Sequence, residues 1–214
     1  ARETARCRRK DEKARLAVLV SGGGTNLQAL IDAQNSGVIH SGSIRIVISN
    51  RADAFALKRA EAAGIKTAVV DKKQLGGVEA FESAIKAILI ENKIDYIVLA
   101  GFMCILSESF TRSYPERIIN VHPSLIPSFC GKGFYGLRVH EAALEYGVKV
   151  TGATVHFVNE IPDGGRIIAQ KAVYIENGVT PEALQQRVMC EAEWIILPQA
   201  VESVCAEFIE SGVK

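Results

Sequence analysis

At 214 residues, with 48% hydrophobic and 23% charged side chains, the chain is long enough to bury one globular core, and a single domain is the better expectation. Twenty-five basic residues against 24 acidic ones leave a net charge of +1, which offers no bulk field for nucleic acid or an anionic membrane, so any anion site must be local. No apolar run approaches the ~20 residues of a membrane helix, and five scattered cysteines (Cys7, Cys104, Cys130, Cys190, Cys205) show no C-x-x-C pair and no metal-ligand spacing.

Together these features predict a cytoplasmic protein with reduced thiols, no metal, and neither nucleic acid nor membrane among its partners. Residues 1–15 carry Arg8, Arg9 and Lys10 in a row, interrupted by Glu3, Asp11 and Glu12. They are expected to form a solvated basic tail, with the catalytic domain running from 16 to 214.

From Leu16 short β-branched runs alternate with helical patterns: "LAVLV", a helix from about Thr25, "IRIVIS", a helix from Ala54, "KTAVV", a helix near Glu79 to Glu91, then "DYIVLA". That rhythm predicts an α/β fold, a mostly parallel Rossmann-like sheet flanked by helices. Within the third helix Phe81, Ile85, Ile88 and Leu89 recur at helical spacing and read as a core stripe. The run "IINVH" follows, then the Pro/Gly-rich "PSLIPSFCGKGFYG", a helix around His140 to Tyr146, the strands "TGATVHFV" and "RIIAQKAVYI", and helical pattern from Pro181 with a kink expected at Pro198. No repeat or linker appears, so no internal domain boundary is drawn.

"VLVSGGGTNLQAL" is strand, glycine turn, helix. Its glycines let the backbone approach a ligand closely, and Thr25 and Asn26 stand where the first free amides of the helix point outward, which suits a phosphate. The loop is not G-x-G-x-x-G, and the second strand ends in Asn50 in place of an acid, so a nicotinamide dinucleotide is not expected.

Asn120 and His122 close an apolar strand, where side chains of an open α/β sheet reach a ligand. A buried amide or imidazole needs partners, so the pair either completes a hydrogen-bond network or faces a cleft. Asp163 precedes a Gly-Gly turn, for which the bland role is turn chemistry. As a trio the three fit acyl transfer to an amine: His122 as general acid or oxyanion stabiliser, Asn120 as an amide donor, and Asp163 as the carboxylate that orients the imidazole and raises its pKa. Ser124 and Cys130 read as loop residues, and no nucleophile elbow is present, so direct attack by a bound amine is simpler than a covalent intermediate. His156, alone within a strand, reads as a structural histidine that could support the trio.

In order along the chain, "SGGGTNLQAL", "SNRADAFALKRAEAAGI", "LAGFMCILS", "INVHPSLIPSF", "VTGATVHFVNE" and "DGGRIIAQ" resemble the folate-dependent phosphoribosylglycinamide formyltransferases of purine synthesis, over about Leu16 to Val204. The resemblance implies transfer of a formyl group from 10-formyltetrahydrofolate, a cosubstrate and not a tightly bound cofactor, to the amine of glycinamide ribonucleotide. It implies Asn120, His122 and Asp163 as the catalytic trio. It also implies Gly24, Thr25, Asn26 and Glu193 at the ribonucleotide, and Met103, Cys104, Ile105, Leu106, Asn120 and the loop Asn159, Glu160, Ile161, Pro162, Asp163 at the folate. The assembly is expected to be a monomer or homodimer. The alternatives within the resemblance are a formyltetrahydrofolate deformylase-like hydrolase and another folate-dependent formyltransferase, such as one acting on methionyl-tRNA; a catalytically dead binding module would lack the trio.

Several positions depart from the family pattern. Cys104 stands where many members have arginine, and Val78 falls where a basic residue often meets the folate tail, leaving Lys72 or Lys73 as substitutes. Trp194 follows Glu193 in place of histidine, and the spacing from Arg187 and Val188 to Glu193 is one residue longer. The "CGKGFYG" insert after His122 is long enough to act as a flap.

Overall fold

The computed structural model describes residues 13–212. Its elements are β1 (Ala14–Val20), α1 (Thr25–Asn35), β2 (Gly42–Ser49), α2 (Phe55–Ala62), β3 (Lys66–Val69), α3 (Val78–Glu91), β4 (Tyr96–Leu99) and α4 (Glu108–Arg112). Then come β5 (Ile118–His122), α5 (Leu137–Tyr146), β6 (Val150–Phe157), β7 (Ile167–Tyr174), α6 (Pro181–Val188), a π-helical turn (Met189–Glu193) and α7 (Trp194–Glu210). Most of the expected basic tail lies outside the described residues, but its last two members, Ala14 and Arg15, belong to β1. Arg15 is held there by an ion pair with Asp95 at 3.0 Å.

One seven-stranded sheet runs in the order β3-β2-β1-β4-β5-β6-β7. The first five strands in that order pair in parallel; β5–β6 and β6–β7 pair antiparallel. The alternation within β1 explains the sheet's two covered faces. Leu16, Val18 and Val20 join a core with Leu27, Leu30, Leu184, Ile196 and Val201 from α1, α6 and α7, while Ala17 and Leu19 face Phe81, Ile85, Leu89 and Phe110 from α3 and α4. A strand buried on both sides cannot show polar alternation, hence the unbroken apolar runs. The stripe on α3 is as expected, with Ile88 only partly buried.

Two features differ from the sequence reading. The short helix α4 begins where the Ser107 hydroxyl accepts from the Phe110 amide, a cap the pattern did not reveal in five residues. The closing helical pattern also contains a π turn at Met189–Glu193 that the sequence pattern does not predict, ahead of Pro198, which sits inside α7.

The strand order reverses between β1 and β4, and ligands of such sheets bind in the crevice beyond the carboxyl ends at that reversal. The glycine loop after β1, the segment after β4 and the polar end of β5 all open there.

Candidate functional site

The antiparallel register of β5 against β6 sets Asn120 opposite His156 and His122 opposite Thr154. Directly opposed side chains on one sheet face are near neighbours, so Asn120 Nδ2 reaches His156 Nε2 at 3.2 Å. The other ring nitrogen of His156, Nδ1, lies 2.8 Å from the Phe157 carbonyl. A carbonyl only accepts, so Nδ1 carries the proton in the neutral ring and Nε2 is left to accept from the Asn120 amide. His156 thereby fixes which way that amide faces and leaves its second N–H free.

The same argument applies to His122, which is 4% exposed. Its Nε2 lies 2.9 Å from the Phe129 carbonyl, so Nε2 carries the proton in the neutral ring and the bare Nδ1 faces Asp163 Oδ2 at 3.5 Å. Asp163 Oδ1 lies 3.7 Å from His156 Nε2, so one carboxylate stands between two imidazoles. Sequence placed these three groups on separate segments; the structure brings them together.

The electrostatics add burial to the expected effect of Asp163. Burial pushes the His122 pKa below its ordinary value; the Asp163 charge opposes this without overcoming it. At Asp163 itself burial pushes the carboxyl up, but the His156 and His122 rings, which face it with Nε2 and Nδ1 and attract its charge when protonated, together with the Gly131 amide bring it below the usual carboxylate range.

Asp163 is aimed by local backbone geometry. Its φ of 56° lies in the left-handed region, which Asp and Asn adopt more readily than most residues. At Gly165 a Cβ would fall 1.7 Å from the Phe157 carbonyl oxygen, so only glycine allows the loop to rejoin β6 this closely. The Gly-Gly pair thus does serve a turn, and the turn carries the carboxylate back under β5.

The loop after His122 is pinned by buried polar groups. The Thr154 hydroxyl donates to the Ser124 carbonyl at 2.7 Å and accepts from the Ile126 amide at 3.0 Å, while the Ser124 hydroxyl donates to the Ser128 carbonyl. Gln170 on β7 donates to the Ile126 carbonyl at 3.0 Å. At the root of the CGKGFYG insert the Gly131 amide donates to Asp163 Oδ2 at 2.8 Å, so the segment expected as a flap is tethered at its base.

At the other end of the crevice, Gly24 precedes α1 with φ 74°, and a Cβ there would come within 2.6 Å of the Ala56 Cβ. No side chain caps α1, so the amides of its first turn remain open to an anion. Asn26 Nδ2 donates to Glu193 Oε2 at 2.8 Å, and the side-chain oxygen Oδ1 of Asn26 is buried without a partner among the described residues. Burial pushes the Glu193 carboxyl up, against the Asn26 bond that lowers it. The π turn Met189–Glu193 ends on Glu193, whose carboxylate faces Asn26; such turns are recurrent at functional sites.

After β4 the backbone runs without regular structure to Ser107. The Met103 amide donates to the Ser21 hydroxyl at 2.8 Å, and Asn50 Nδ2 approaches the Cys104 sulfur at 3.0 Å. Met103 and Ile105 are 58% and 78% exposed, whereas Leu106 is buried. Across the crevice, Asn159 accepts from the Ile161 amide at 3.0 Å, with Glu160, Ile161 and Pro162 exposed. Lys72, Lys73 and Val78 are exposed between β3 and the start of α3.

Sequence reasoning missed several groups. Arg59 of α2 braces the glycine loop by donating to the Gly23 carbonyl at 2.9 Å. His140 of α5 is fully buried with both ring nitrogens unpartnered, and burial, aided by the neighbouring His122, lowers its pKa to about 4. Glu82 of α3 and Thr154 of β6 are buried polar groups inside apolar patterns, and only their chemical type could have flagged them. Among the described residues no group of three or more His, Cys, Asp or Glu side chains converges as a metal site, and no helix is long and apolar enough to cross a membrane.

Comparison with known proteins gives concordant matches. Residues 14–201 match the formyl transferase family. The human "Trifunctional purine biosynthetic protein adenosine-3" is 47% identical over 94% of this chain, which spans 19% of that protein's length. The chloroplastic phosphoribosylglycinamide formyltransferase of Arabidopsis thaliana is 36% identical, and the match covers 94% of this chain and 70% of the plant protein. Among solved structures, glycinamide ribonucleotide transformylase 1 of Symbiobacterium toebii superposes with a TM-score of 0.84 at 41% identity, covering 91% of this chain and 88% of that one.

Proposed function

Because this chain belongs to the formyl transferase family, we propose that it transfers the formyl group of 10-formyltetrahydrofolate to the amine of glycinamide ribonucleotide, giving formylglycinamide ribonucleotide in purine synthesis. The observation that carries this reading is the convergence of Asn120, His122 and Asp163 at one end of a crevice whose other end offers the open amides of α1.

In this reading the ribonucleotide phosphate sits on the amides at Gly24, Thr25 and Asn26, where the helix dipole favours an anion. Glu193 accepts from the sugar hydroxyls. The folate lies between Met103, Cys104, Ile105 and Leu106 and the loop Asn159 to Asp163, with Asn120 at its formyl end. Its apolar walls and exposed backbone suit a flat pterin.

The amine attacks the formyl carbon, and charge develops on the formyl oxygen. The free N–H of Asn120, oriented by His156, donates to that oxyanion, and His122 adds the positive charge of its protonated form. Asp163 favours the protonated form of His122, so the proton lost by the amine has a route through the pair to the departing folate nitrogen. The lowered His122 pKa keeps the free site neutral, and a proton is held at Nδ1 only when negative charge accumulates beside it.

The free thiols of Cys104, Cys130, Cys190 and Cys205 support a reducing, cytoplasmic setting. The test is a product assay on the purified protein with each formyl acceptor in turn. Formylglycinamide ribonucleotide is expected from 10-formyltetrahydrofolate and glycinamide ribonucleotide, with no loss on adding a chelator. Formate release independent of the acceptor would instead identify a deformylase.

A further inference from the structure

The segment that walls the crevice after β4 is held from beneath by a carboxylate that the sequence pattern hides. Glu82 follows Phe81 on α3, a helix that otherwise turns Phe81, Ile85 and Leu89 toward the sheet, and it is 7% exposed. Both of its oxygens are committed to one residue. The Ser107 amide donates to Oε1 at 2.6 Å, and the Ser107 hydroxyl donates to Oε2 at 2.5 Å. The same hydroxyl then accepts from the Phe110 amide at 3.1 Å, which starts α4.

Ser107 immediately follows Leu106. The segment Met103 to Ser107 is therefore fixed at both ends, by Ser21 at the Met103 amide and by Glu82 at Ser107, with exposed Met103 and Ile105 presented between. A stretch without regular structure has no ladder of its own to define its path, and α4 is only five residues long. A charge-assisted pair of hydrogen bonds to one residue fixes both position and rotation of the backbone there. Placing a carboxylate in an apolar layer is costly, and a packing role would be met equally well by leucine or methionine at this position of the stripe.

We propose that Glu82 is a positioning residue for the folate: acting through Ser107, it sets the main-chain path of Met103 to Leu106 and so the shape of the wall the pterin meets. The proposal rests on the reading of that wall as the folate site. Glu82 itself touches no reacting atom, and its effect should fall on the folate because its partner Ser107 continues directly into the Met103 to Leu106 wall.

Steady-state kinetics on the full chain decide it, with wild type, Glu82→Gln, Ser107→Ala, their double variant and Ser107→Thr. Glutamine keeps the shape but turns an NH2 toward one of the two Ser107 donors. The Michaelis constant for 10-formyltetrahydrofolate should rise about tenfold in Glu82→Gln and Ser107→Ala, as expected for a lost charge-assisted hydrogen bond, with that for glycinamide ribonucleotide within about twofold of wild type. The double variant should be no worse than the poorer single one, since both break the same contact. Ser107→Thr, which keeps amide and hydroxyl, should restore the folate constant.

Equal rises for both substrates, or a lowered melting temperature with an unchanged folate constant, would overturn the proposal and leave Glu82 a stability residue. Should Glu82→Gln fail to fold, the Ser107→Ala and Ser107→Thr pair carries the same decision. A wild type that turns over no folate overturns this proposal together with the reading beneath it; an active wild type with insensitive variants overturns this one alone.

Discussion

The two ends of the crevice are built on opposite principles. Around β5 and β6 the polar groups that face the crevice answer one another, though the buried His140 has neither ring nitrogen partnered among the described residues: Asn120 to His156, His122 to the Phe129 carbonyl and Asp163, Asp163 to the Gly131 amide. Around the glycine loop they do not. The first turn of α1 has no side-chain cap, the Asn26 side-chain oxygen Oδ1 is buried and unpartnered among the described residues, and Glu193 is a buried carboxyl that accepts from Asn26. Orphaned groups are unfavourable until a ligand fills them, whereas a closed network is ready before the ligand arrives. In the proposed reading, one end is organised for chemistry and the other for binding.

The contrast extends to pH. Asp163 is held below the usual carboxylate range, so its charged form stabilises the fold; Glu193 is held above its ordinary value, so its charged form opposes folding. Substitutions at the two ends should therefore separate chemistry from binding, and should move stability in opposite directions.

The largest effect is expected for Asp163→Asn. Asparagine suits the left-handed backbone at this position, so the turn should survive while the charge is lost. The turnover number should fall by roughly 100-fold to 10,000-fold, as for loss of a general acid–base contribution. NMR titration of the His122 ring protons should show its pKa dropping further, because the group that opposed burial is gone. Near-normal turnover with an unmoved titration would make Asp163 a turn residue and turn attention to His156.

Next in size is the acid sensitivity of the β5–β6 end. His140, lowered to about 4, and His122, lowered by burial, bind fewer protons in the folded chain than in the unfolded one. Their contribution to stability is full above about pH 6.5, the ordinary histidine value, and is lost as the pH falls toward 4. For His140 alone the drop from 6.5 to about 4 corresponds to about 3 kcal/mol. Denaturant melts between pH 7 and 4 should flatten in His140→Phe, provided the ring is accommodated; an unchanged slope would show that other groups set the acid limb.

A smaller effect is expected from Asn26→Ala at the glycine loop. The Michaelis constant for glycinamide ribonucleotide should rise about tenfold while that for the folate and the turnover number stay near wild type. Equal effects on both substrates would break the distinction between the two ends.

Smallest is Glu193→Gln, which keeps the acceptor for Asn26 and removes a buried charge. At pH 7 the thermal midpoint should rise, with weaker binding of the ribonucleotide; a fall in the midpoint would mean that the carboxylate is stabilising as it stands. Asp163→Asn should lower the midpoint under the same conditions.

The residues at the glycine loop and the trio were legible in the chain itself because their types are conspicuous. Three glycines before a helix and a polar triplet ending an apolar strand violate the local pattern, and local rules tend to be broken where function is served. The alternation of strand and helix likewise determined the class of sheet and its parallel half. Glu82 and Thr154 stayed hidden because each is one polar residue inside a regular apolar pattern, with partners 25 and 30 residues away in the chain.

What only the tertiary structure decided was pairing and environment. The β5–β6 register put Asn120 against His156, the turn at Gly165 swung Asp163 beneath His122, and the π turn left Glu193 facing Asn26. Burial then outweighed the upward pull of Asp163 on His122. A sequence specifies which groups are available, but desolvation and Coulomb interaction depend on distance and on what surrounds each group, and those are properties of the folded chain.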